Sequence, residues 1–297
     1  MAGKTLLIPD PLKERDNIAV FSPAGVVQRE ELNLGLHELR SWGFAYHLSS
    51  FALSRCRYLA GRDEERVLDL MRTMTEFPAL WASRGGYGCL RLLPWLEELL
   101  PKRRHFKPFW LLGFSDLTIL LNYFYQRYGL VTLHAPLVSS LPHIDPEARH
   151  TVRRLLLGQQ RFVVYQGVFW REGSASGPLL GGNLASLVSL LGTPWFPNLD
   201  GALLLLEEVN ESPYRVDRLL TQLSLSGELS KANALILGEF KGLGEDVLFE
   251  LVTAVFSGPI LARLPVGHGT QNFPLFIGLP AQIYPHGNKG LLEQTLT

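Results

Sequence analysis

A short apolar segment followed by a sharp turn places the strongest constraint on the fold of this chain. Phe109–Leu112 contains only large apolar side chains, without polar alternation, which is typical of a strand covered on both faces. Gly113 permits a tight bend, and apolar side chains recur at helical spacing after Asp116. The sequence FWLLGFSDLTIL therefore predicts a strand, a turn and a helix, with Ser115 at the turn.

Ser115 has two interpretations at this position. A serine at a strand–turn–helix junction is presented at the carboxyl end of a sheet, beside the N–H groups of the helix start, as in a nucleophile elbow. Most serines at helix starts, however, are ordinary N-caps. This stretch alone leaves both interpretations open.

Composition excludes several classes of protein. The chain has 297 residues, 46% of them hydrophobic, which is enough for one large or two modest domains. Lys plus Arg and Asp plus Glu are both 28, and a formal net charge of +0 favours neither nucleic acid nor an anionic membrane as a partner. Cys56 and Cys89 are too few for a disulfide scaffold, and neither has the partners of a metal site. Because no segment resembles a signal peptide or a membrane span, we expect a soluble, cytoplasmic protein.

Strands alternate with helices along the first half of the chain. Strands are predicted at 17–22, 78–83, 109–112 and 130–133, and helices at 28–42, 62–75 and 146–157. This alternation predicts an α/β fold, with an N-terminal domain at 1–160 built on a mainly parallel sheet with flanking helices. A linker at 161–176 and a smaller, mixed α/β C-terminal domain rich in short strands at 177–297 are expected to follow. Within the latter we predict strands at 202–208 and 234–239, and helices at 184–191, 214–223 and 249–256.

Three loops are expected at the carboxyl ends of the parallel strands, where such sheets bind ligands. They lie at 23–25, 84–88 and 113–116, and the second reads RGGYG. A dinucleotide-binding pattern would require glycine at the position of Arg91, and no P-loop lysine is present. The loop is therefore either a tight turn or a set of free N–H donors that could form an oxyanion hole.

A serine nucleophile needs a base within hydrogen-bond reach. Of the eight histidines, His134 follows a strand, and His268 lies between two glycines after an apolar segment, where it is best placed to reach a site. Glu207 and Glu208 end a buried strand, and strand alternation lets only one of them face the site and orient an imidazole. Taken alone, His268 could equally be a surface-loop residue and the two carboxylates a solvated strand end.

Five motifs, read together, resemble the L,D-carboxypeptidases, which are the muramoyltetrapeptide carboxypeptidases of serine peptidase family S66. The motifs are SRGGYG with RLLP at 83–94, GFSD at 113–116, GGNL with GTPW at 181–195, LEEVNE with PYRVDR at 206–218, and GH at 267–268. They occur in the family's order and with similar spacing between about residues 17 and 283. The chain departs from the family at 134–136, where HAP replaces HGP.

The resemblance implies a Ser–Glu–His triad. Ser115 would be the nucleophile, His268 the general base, and Glu207 the carboxylate that orients it. The oxyanion donors would be the backbone N–H groups of Gly86 and Asp116. The implied reaction is hydrolysis of the terminal D-Ala from a murein tetrapeptide, in peptidoglycan recycling, with no metal or organic cofactor.

The resemblance also suggests how the substrate is held and how the chain assembles. Arg84, Tyr87, Asn183 and Arg215 are candidate substrate-binding residues. The two arginines could hold the free carboxylate of the peptide, because guanidinium pairs with carboxylate in a bidentate manner. We expect a small peptide substrate, no nucleic acid or membrane partner, and a homodimer.

Two alternatives remain open. The microcin-immunity branch of the family cleaves peptidyl or aminoacyl adenylates and would need an aromatic pocket, for which Trp195 and Tyr87 are available. A non-catalytic ligand-binding protein of the same fold is the other alternative.

Overall fold

A computed structural model describes residues 5–100 and 106–296 of the chain. The basic run at 102–104 and His105 lie outside the described residues. The described chain forms two sheets with helices packed around them.

The first sheet is mainly parallel, as predicted. Its strands are β1 (Asn17–Phe21), β2 (Ala45–Leu48), β3 (Ala79–Ala82), β4 (Trp110–Gly113), β5 (Thr132–His134) and β11 (Leu275–Ile277). Their order in the sheet is β11-β5-β4-β3-β1-β2, with β11 antiparallel to β5 and the other neighbours parallel. Because β3 and β4 are buried along their whole length, they carry the continuous apolar runs that the sequence shows. Strand β5 is equally buried, although it contains Thr132 and His134.

Helices connect the parallel strands and follow the last of them. They are α1 (Arg29–Ser41), α2 (Asp63–Glu76), α3 (Leu93–Leu99), α4 (Thr118–Tyr128) and α5 (Pro146–Leu156). In α1 the buried side chains Leu32, Leu36 and Leu39 recur at helical spacing, so one face of the helix packs on the core. In α5 the Asp145 carboxylate accepts hydrogen bonds from two backbone N–H groups of the first turn and caps the helix.

The second sheet closes into a barrel. Its strands are β6 (Phe162–Arg171), β7 (Ala175–Asn183), β8 (Leu203–Val209), β9 (Ala234–Lys241), β10 (Ile260–Ala262), β12 (Pro280–His286) and β13 (Lys289–Thr295), in the order β10-β6-β13-β12-β7-β8-β9. Strands β7 to β10 run parallel to one another, and the remaining pairings are antiparallel. Helices α6 (Leu184–Val188), α7 (Pro213–Leu225) and α8 (Glu245–Val255) belong to the same half. The mixed α/β character was predicted, whereas the closure of the barrel was not.

Three local features differ from the sequence prediction. Strand β2 was not predicted, because its four residues form a half-exposed strand at the edge of the sheet and give little apolar signal. The helix expected at 184–191 ends at Val188. The expected linker at 161–176 contains β6 and the first residues of β7, while the division of the chain at 160 and 177 stays a prediction.

Helix α4 joins the first sheet to the barrel. Thr118 Oγ1 accepts a hydrogen bond of 2.9 Å from the N–H of Asn183 in β7. The Asn122 side chain donates to the carbonyl of Gly181 and accepts from its N–H, both at 2.9 Å. Because Asn183 is paired with Glu207 in the neighbouring strand β8, these bonds fix the end of β8 relative to the turn that precedes α4.

Candidate active site

Ser115 lies in a strained turn between β4 and α4. It begins a single 3₁₀ turn, Ser115–Leu117, with φ of +62°. A non-glycine residue in this region costs about 1–2 kcal/mol, and such strain is found where a strand–helix turn presents a nucleophile. The cap position of the turn belongs to Phe114, and Ser115 Oγ has no hydrogen-bond partner among the described residues. The side chain is therefore not used as a helix cap.

The glycine-rich loop at 84–88 packs directly on Ser115. A Cβ on Gly85 would lie 2.8 Å from Ser115 Cβ and 2.9 Å from Ser115 Oγ, so only glycine leaves room for the serine side chain. The Gly85 carbonyl accepts a 3.0 Å hydrogen bond from the N–H of Gly25. Gly86, with φ of +103°, has an N–H without an acceptor among the described residues. The three loops that the sequence placed at one edge of the sheet thus meet around Ser115.

A buried carboxylate and a buried guanidinium hold these loops together. Asp116 Oδ2 accepts a 2.7 Å hydrogen bond from the N–H of Cys89, and burial raises the pKa of the Asp116 carboxyl. Arg66 Nη1 donates to the carbonyls of Pro23 and Gly88. The side chain of Asp116 consequently has a structural role, whereas its backbone N–H lies in the first turn, where helical N–H groups lack partners within the helix.

Gly85→Ala tests the close approach of the loop to Ser115. The added Cβ must displace the serine side chain, and a misplacement of about 1 Å can cost about 10²-fold in rate. We expect any reaction that uses Ser115 to slow by about that factor, measured beside Gly244→Ala, whose Cβ would meet no atom within 4 Å. Equal activity of the two variants would show that the loop yields without moving Ser115.

His268 and Glu207 form a hydrogen-bonded pair beside this turn. His268 Nδ1 lies 2.6 Å from Glu207 Oε2, with Glu207 fully buried at the carboxyl-terminal end of β8 and the His268 side chain 17% exposed. Burial raises the pKa of the Glu207 carboxyl, and the hydrogen bond to His268 acts in the opposite direction. The imidazole packs on Phe114, with ring centroids 4.6 Å apart. The imidazole therefore packs on the residue that precedes Ser115, although the two side chains share no hydrogen bond in this structure. A histidine oriented by a carboxylate in this way can accept and return a proton.

Glu208 points away from His268. Its carboxylate accepts hydrogen bonds from the N–H of Ala185 at 2.8 Å and from Asn183 Nδ2 at 3.0 Å, at the start of α6. Of the two carboxylates that end β8, Glu207 therefore contacts the imidazole and Glu208 caps a helix.

Several residues that shape the site were not identified from the sequence. Phe114 packs on the imidazole, Thr118 anchors β7, and Asn272 Oδ1 accepts a 3.2 Å hydrogen bond from the N–H of Gly267 next to His268. The signal for Thr118 was present, because Thr118 and Asn122 are spaced i, i+4 in a helix whose first eight residues are otherwise aliphatic or aromatic. Asn272 carried no such signal, since it lies in an irregular loop.

The candidate substrate-binding residues lie in three places. Arg84 and Tyr87 are exposed on the glycine-rich loop; Arg84 donates to the carbonyl of Val26, and the Tyr87 ring lies 6.1 Å from that of Tyr58. Arg215 on α7 is exposed and pairs with Glu211 at 3.3 Å. It makes no hydrogen bond or ion pair with Ser115, Glu207 or His268 in the described part of the chain. Asn183 is buried, and its side chain caps α6 and binds Glu208.

His134 is fully buried at the end of β5, with its ring 5.6 Å from that of Phe114. Burial, with the charge of His268 as a smaller cause, lowers its pKa from 6.5 to about 3. Between pH 6.5 and about pH 3, His134 binds a proton in the unfolded chain but not in the folded chain. Because of His134, the free energy of unfolding therefore rises with pH in this range and falls on acidification.

We therefore expect His134→Gln to flatten the acid dependence of stability. Lowering the pH from 7 to 5 should reduce the free energy of unfolding of the unmodified chain by about 2 kcal/mol more than that of the variant. Urea unfolding at both pH values measures this difference. If the free energy of unfolding fell equally in the two proteins, His134 would take up a proton in the folded state as readily as in the unfolded one.

Within residues 5–100 and 106–296, no group of three or more His, Cys, Asp or Glu side chains could hold a metal ion. None of the helices in the same residues is both long and apolar enough to cross a membrane.

Comparison with known proteins places this chain in the class of serine-type carboxypeptidases. The family profiles described as LD-carboxypeptidase N-terminal domain and LD-carboxypeptidase C-terminal domain match residues 18–135 and 176–283. A putative carboxypeptidase of Synechocystis sp. is 34% identical over 98% of both chains. The murein tetrapeptide carboxypeptidase of Pseudomonas aeruginosa is 33% identical over 93% of this chain and 92% of its own. The chain belongs to the LD-carboxypeptidase family.

Solved structures share the fold. The muramoyltetrapeptide carboxypeptidase of Oxalobacter formigenes superposes with a TM-score of 0.80, at 26% identity, over 94% of this chain and 99% of its own. An MccF-like protein from Bacillus anthracis has a TM-score of 0.85, at 24% identity, over 98% and 100% of the two chains. The predicted α/β fold is confirmed by both likenesses.

Proposed function

We propose that this carboxypeptidase removes the terminal D-Ala from murein tetrapeptides through a triad of Ser115, His268 and Glu207, and that it acts in peptidoglycan recycling. The observation that carries the proposal is the 2.6 Å pair of His268 and Glu207 beside the strained turn at Ser115. The substrate named for the relative from P. aeruginosa supports the choice of peptide.

In the proposed mechanism Ser115 Oγ attacks the carbonyl carbon that precedes D-Ala, while His268 takes the hydroxyl proton. Glu207 holds Nδ1–H of the imidazole, fixes its tautomer and stabilises the imidazolium. The N–H groups of Gly86 and Asp116 stabilise the oxyanion. His268 then protonates the departing amine, the C–N bond breaks, and a water molecule activated by the same imidazole hydrolyses the acyl-enzyme.

A carboxypeptidase must also bind the free carboxylate of its substrate. We assign this role to Arg84 and Arg215, with Tyr87 and Asn183 completing the substrate site. Arg84 is the better supported of the two arginines, because it belongs to the loop that packs on Ser115. The proposed assembly is a cytoplasmic homodimer.

The proposal is tested by incubating the purified protein with a synthetic murein tetrapeptide and measuring free D-Ala together with the tripeptide product. A matched peptide with a C-terminal amide is the control, because it lacks the carboxylate that the two arginines would bind. Release from the acid and little from the amide would support the assignment. If neither peptide is cleaved but an aminoacyl sulfamoyl adenosine is, the activity is instead that of the microcin-immunity branch.

A further inference from the structure

A cavity of about 370 Å³ lies against the loop that carries His268. Its lining includes Val266, two residues before His268, and Gly269, the residue after it. Its apolar walls come from β6, β9 and α8 and the loop between the last two, through Trp170, Phe240, Leu243 and Leu248. The cavity is therefore next to the proposed base, and nothing in the proposed mechanism uses it.

Glu239, near the end of β9, is an exposed residue of the cavity lining and gives the lining a negative charge. Its carboxylate has no hydrogen-bond or ion-pair partner among the described residues. The other charged residues in the lining, Arg263 and Glu245, neutralise each other through hydrogen bonds of 2.6 and 2.8 Å. The lining thus carries one net negative charge, located at Glu239.

The Glu239 carboxylate lies beside the loop of the proposed base. A Cβ on Gly269, the residue after His268, would clash with Glu239 Oε2, and a Cβ on Gly267 would lie 3.2 Å from Glu239 Cβ. The two glycines therefore leave space in which the carboxylate approaches the loop backbone. A Cβ on Gly267 would also lie 3.3 Å from Glu207 Oε2, so a group bound by Glu239 would lie beside the loop that holds His268 and Glu207 together.

We propose that this cavity binds the side chain of the residue that precedes the cleaved bond, and that Glu239 binds a terminal ammonium group on that side chain. The inference rests on the proposed function. The methylene groups of a diamino acid would pack on Trp170 and Leu243, while the ammonium group reaches the carboxylate. The departing D-Ala carries a carboxylate that Glu239 would repel, so the cavity suits the acyl side of the bond.

The charge of the cavity sets a preference among diamino acids. A lysine or ornithine side chain brings one positive charge and neutralises the lining. The side chain of diaminopimelate brings an ammonium and a carboxylate group, and the only guanidinium of the lining, on Arg263, is already paired with Glu245. We therefore expect lysine-type peptides to be better substrates than diaminopimelate-type peptides.

The test uses three tetrapeptides that differ only in the third residue, which is L-lysine, L-norleucine or meso-diaminopimelate. Norleucine keeps the methylene chain and lacks the ammonium group. In the unmodified protein kcat/KM should be about tenfold higher for lysine than for norleucine, which corresponds to one hydrogen bond to a charged group. In Glu239→Gln this ratio should fall to about one, because the uncharged amide binds the ammonium group weakly.

Glu250→Gln is the matched control, because it removes the same charge from an exposed position of α8 outside the cavity lining. This control should keep the tenfold ratio. The ratio of two substrates on one protein cancels any general loss of activity. An unchanged ratio in Glu239→Gln, or a preference of the unmodified protein for norleucine or diaminopimelate over lysine, would overturn the inference. Failure to cleave any of the three peptides would instead overturn the proposed function.

Discussion

Ser115→Ala is expected to lower kcat for D-Ala release by about 10⁴-fold or more, because it removes the atom that forms the acyl-enzyme. The substitution removes a single hydroxyl group, and Ser115 Oγ has no hydrogen-bond partner among the described residues. Folding stability should therefore change little. Release of D-Ala from the synthetic tetrapeptide, followed over hours at high protein concentration, measures the residual rate.

Ser189→Ala is the control for this variant, since Ser189 is exposed and its hydroxyl only donates to a carbonyl within its own helical segment. Its rate should equal that of the unmodified protein. If Ser115→Ala retained a comparable rate, Ser115 would not be the nucleophile, and the strained turn would have to be explained in another way.

Glu207→Gln is expected to lower kcat by about 10³- to 10⁴-fold with little change in KM. Glutamine keeps the size of the side chain, but it cannot stabilise the imidazolium that forms when His268 takes the proton from Ser115. An amide can also donate to Nδ1 and so favour the wrong tautomer of the imidazole. Steady-state kinetics on the tetrapeptide separate the two parameters.

Glu208→Gln provides the matched comparison on the same strand. It weakens the hydrogen bonds that hold the start of α6, so it should reduce the free energy of unfolding by about 1–2 kcal/mol while kcat changes only a few-fold. If the kinetic effects of the two substitutions were reversed, the assignment of Glu207 as the orienting carboxylate would be wrong.

The sequence predicted the fold best where burial left no ambiguity. The apolar runs of β3 and β4 indicated a parallel sheet, and the spacing of Leu32, Leu36 and Leu39 indicated α1. It could not predict the barrel, because closure depends on pairings between distant strands such as β6 with β10 and β13. Strand β11, only three residues long, gave no local signal that it returns to the first sheet.

The candidate site shows the same division. The glycines at 85 and 86 and the serine at 115 were identified because they occupy turns whose residue types are restricted by backbone geometry. Strand alternation allowed one carboxylate of the pair to face the site, and the family motif selected Glu207. The contacts of Phe114, Asn272 and Glu239 could not be predicted, since each depends on how the irregular loop that carries His268 packs.

The loop that carries His268 has one end in each half of the molecule. It begins after β10 of the barrel and leads to β11, which is hydrogen-bonded to β5 of the first sheet. The position of the imidazole therefore depends on strand pairings in both sheets, that of β10 with β9 and that of β11 with β5. Fragments ending between 160 and 177 would lack the strand that covers the edge of β5. Such a fragment, mixed with the complementary C-terminal fragment, would therefore restore hydrolysis only when β11 has paired with β5.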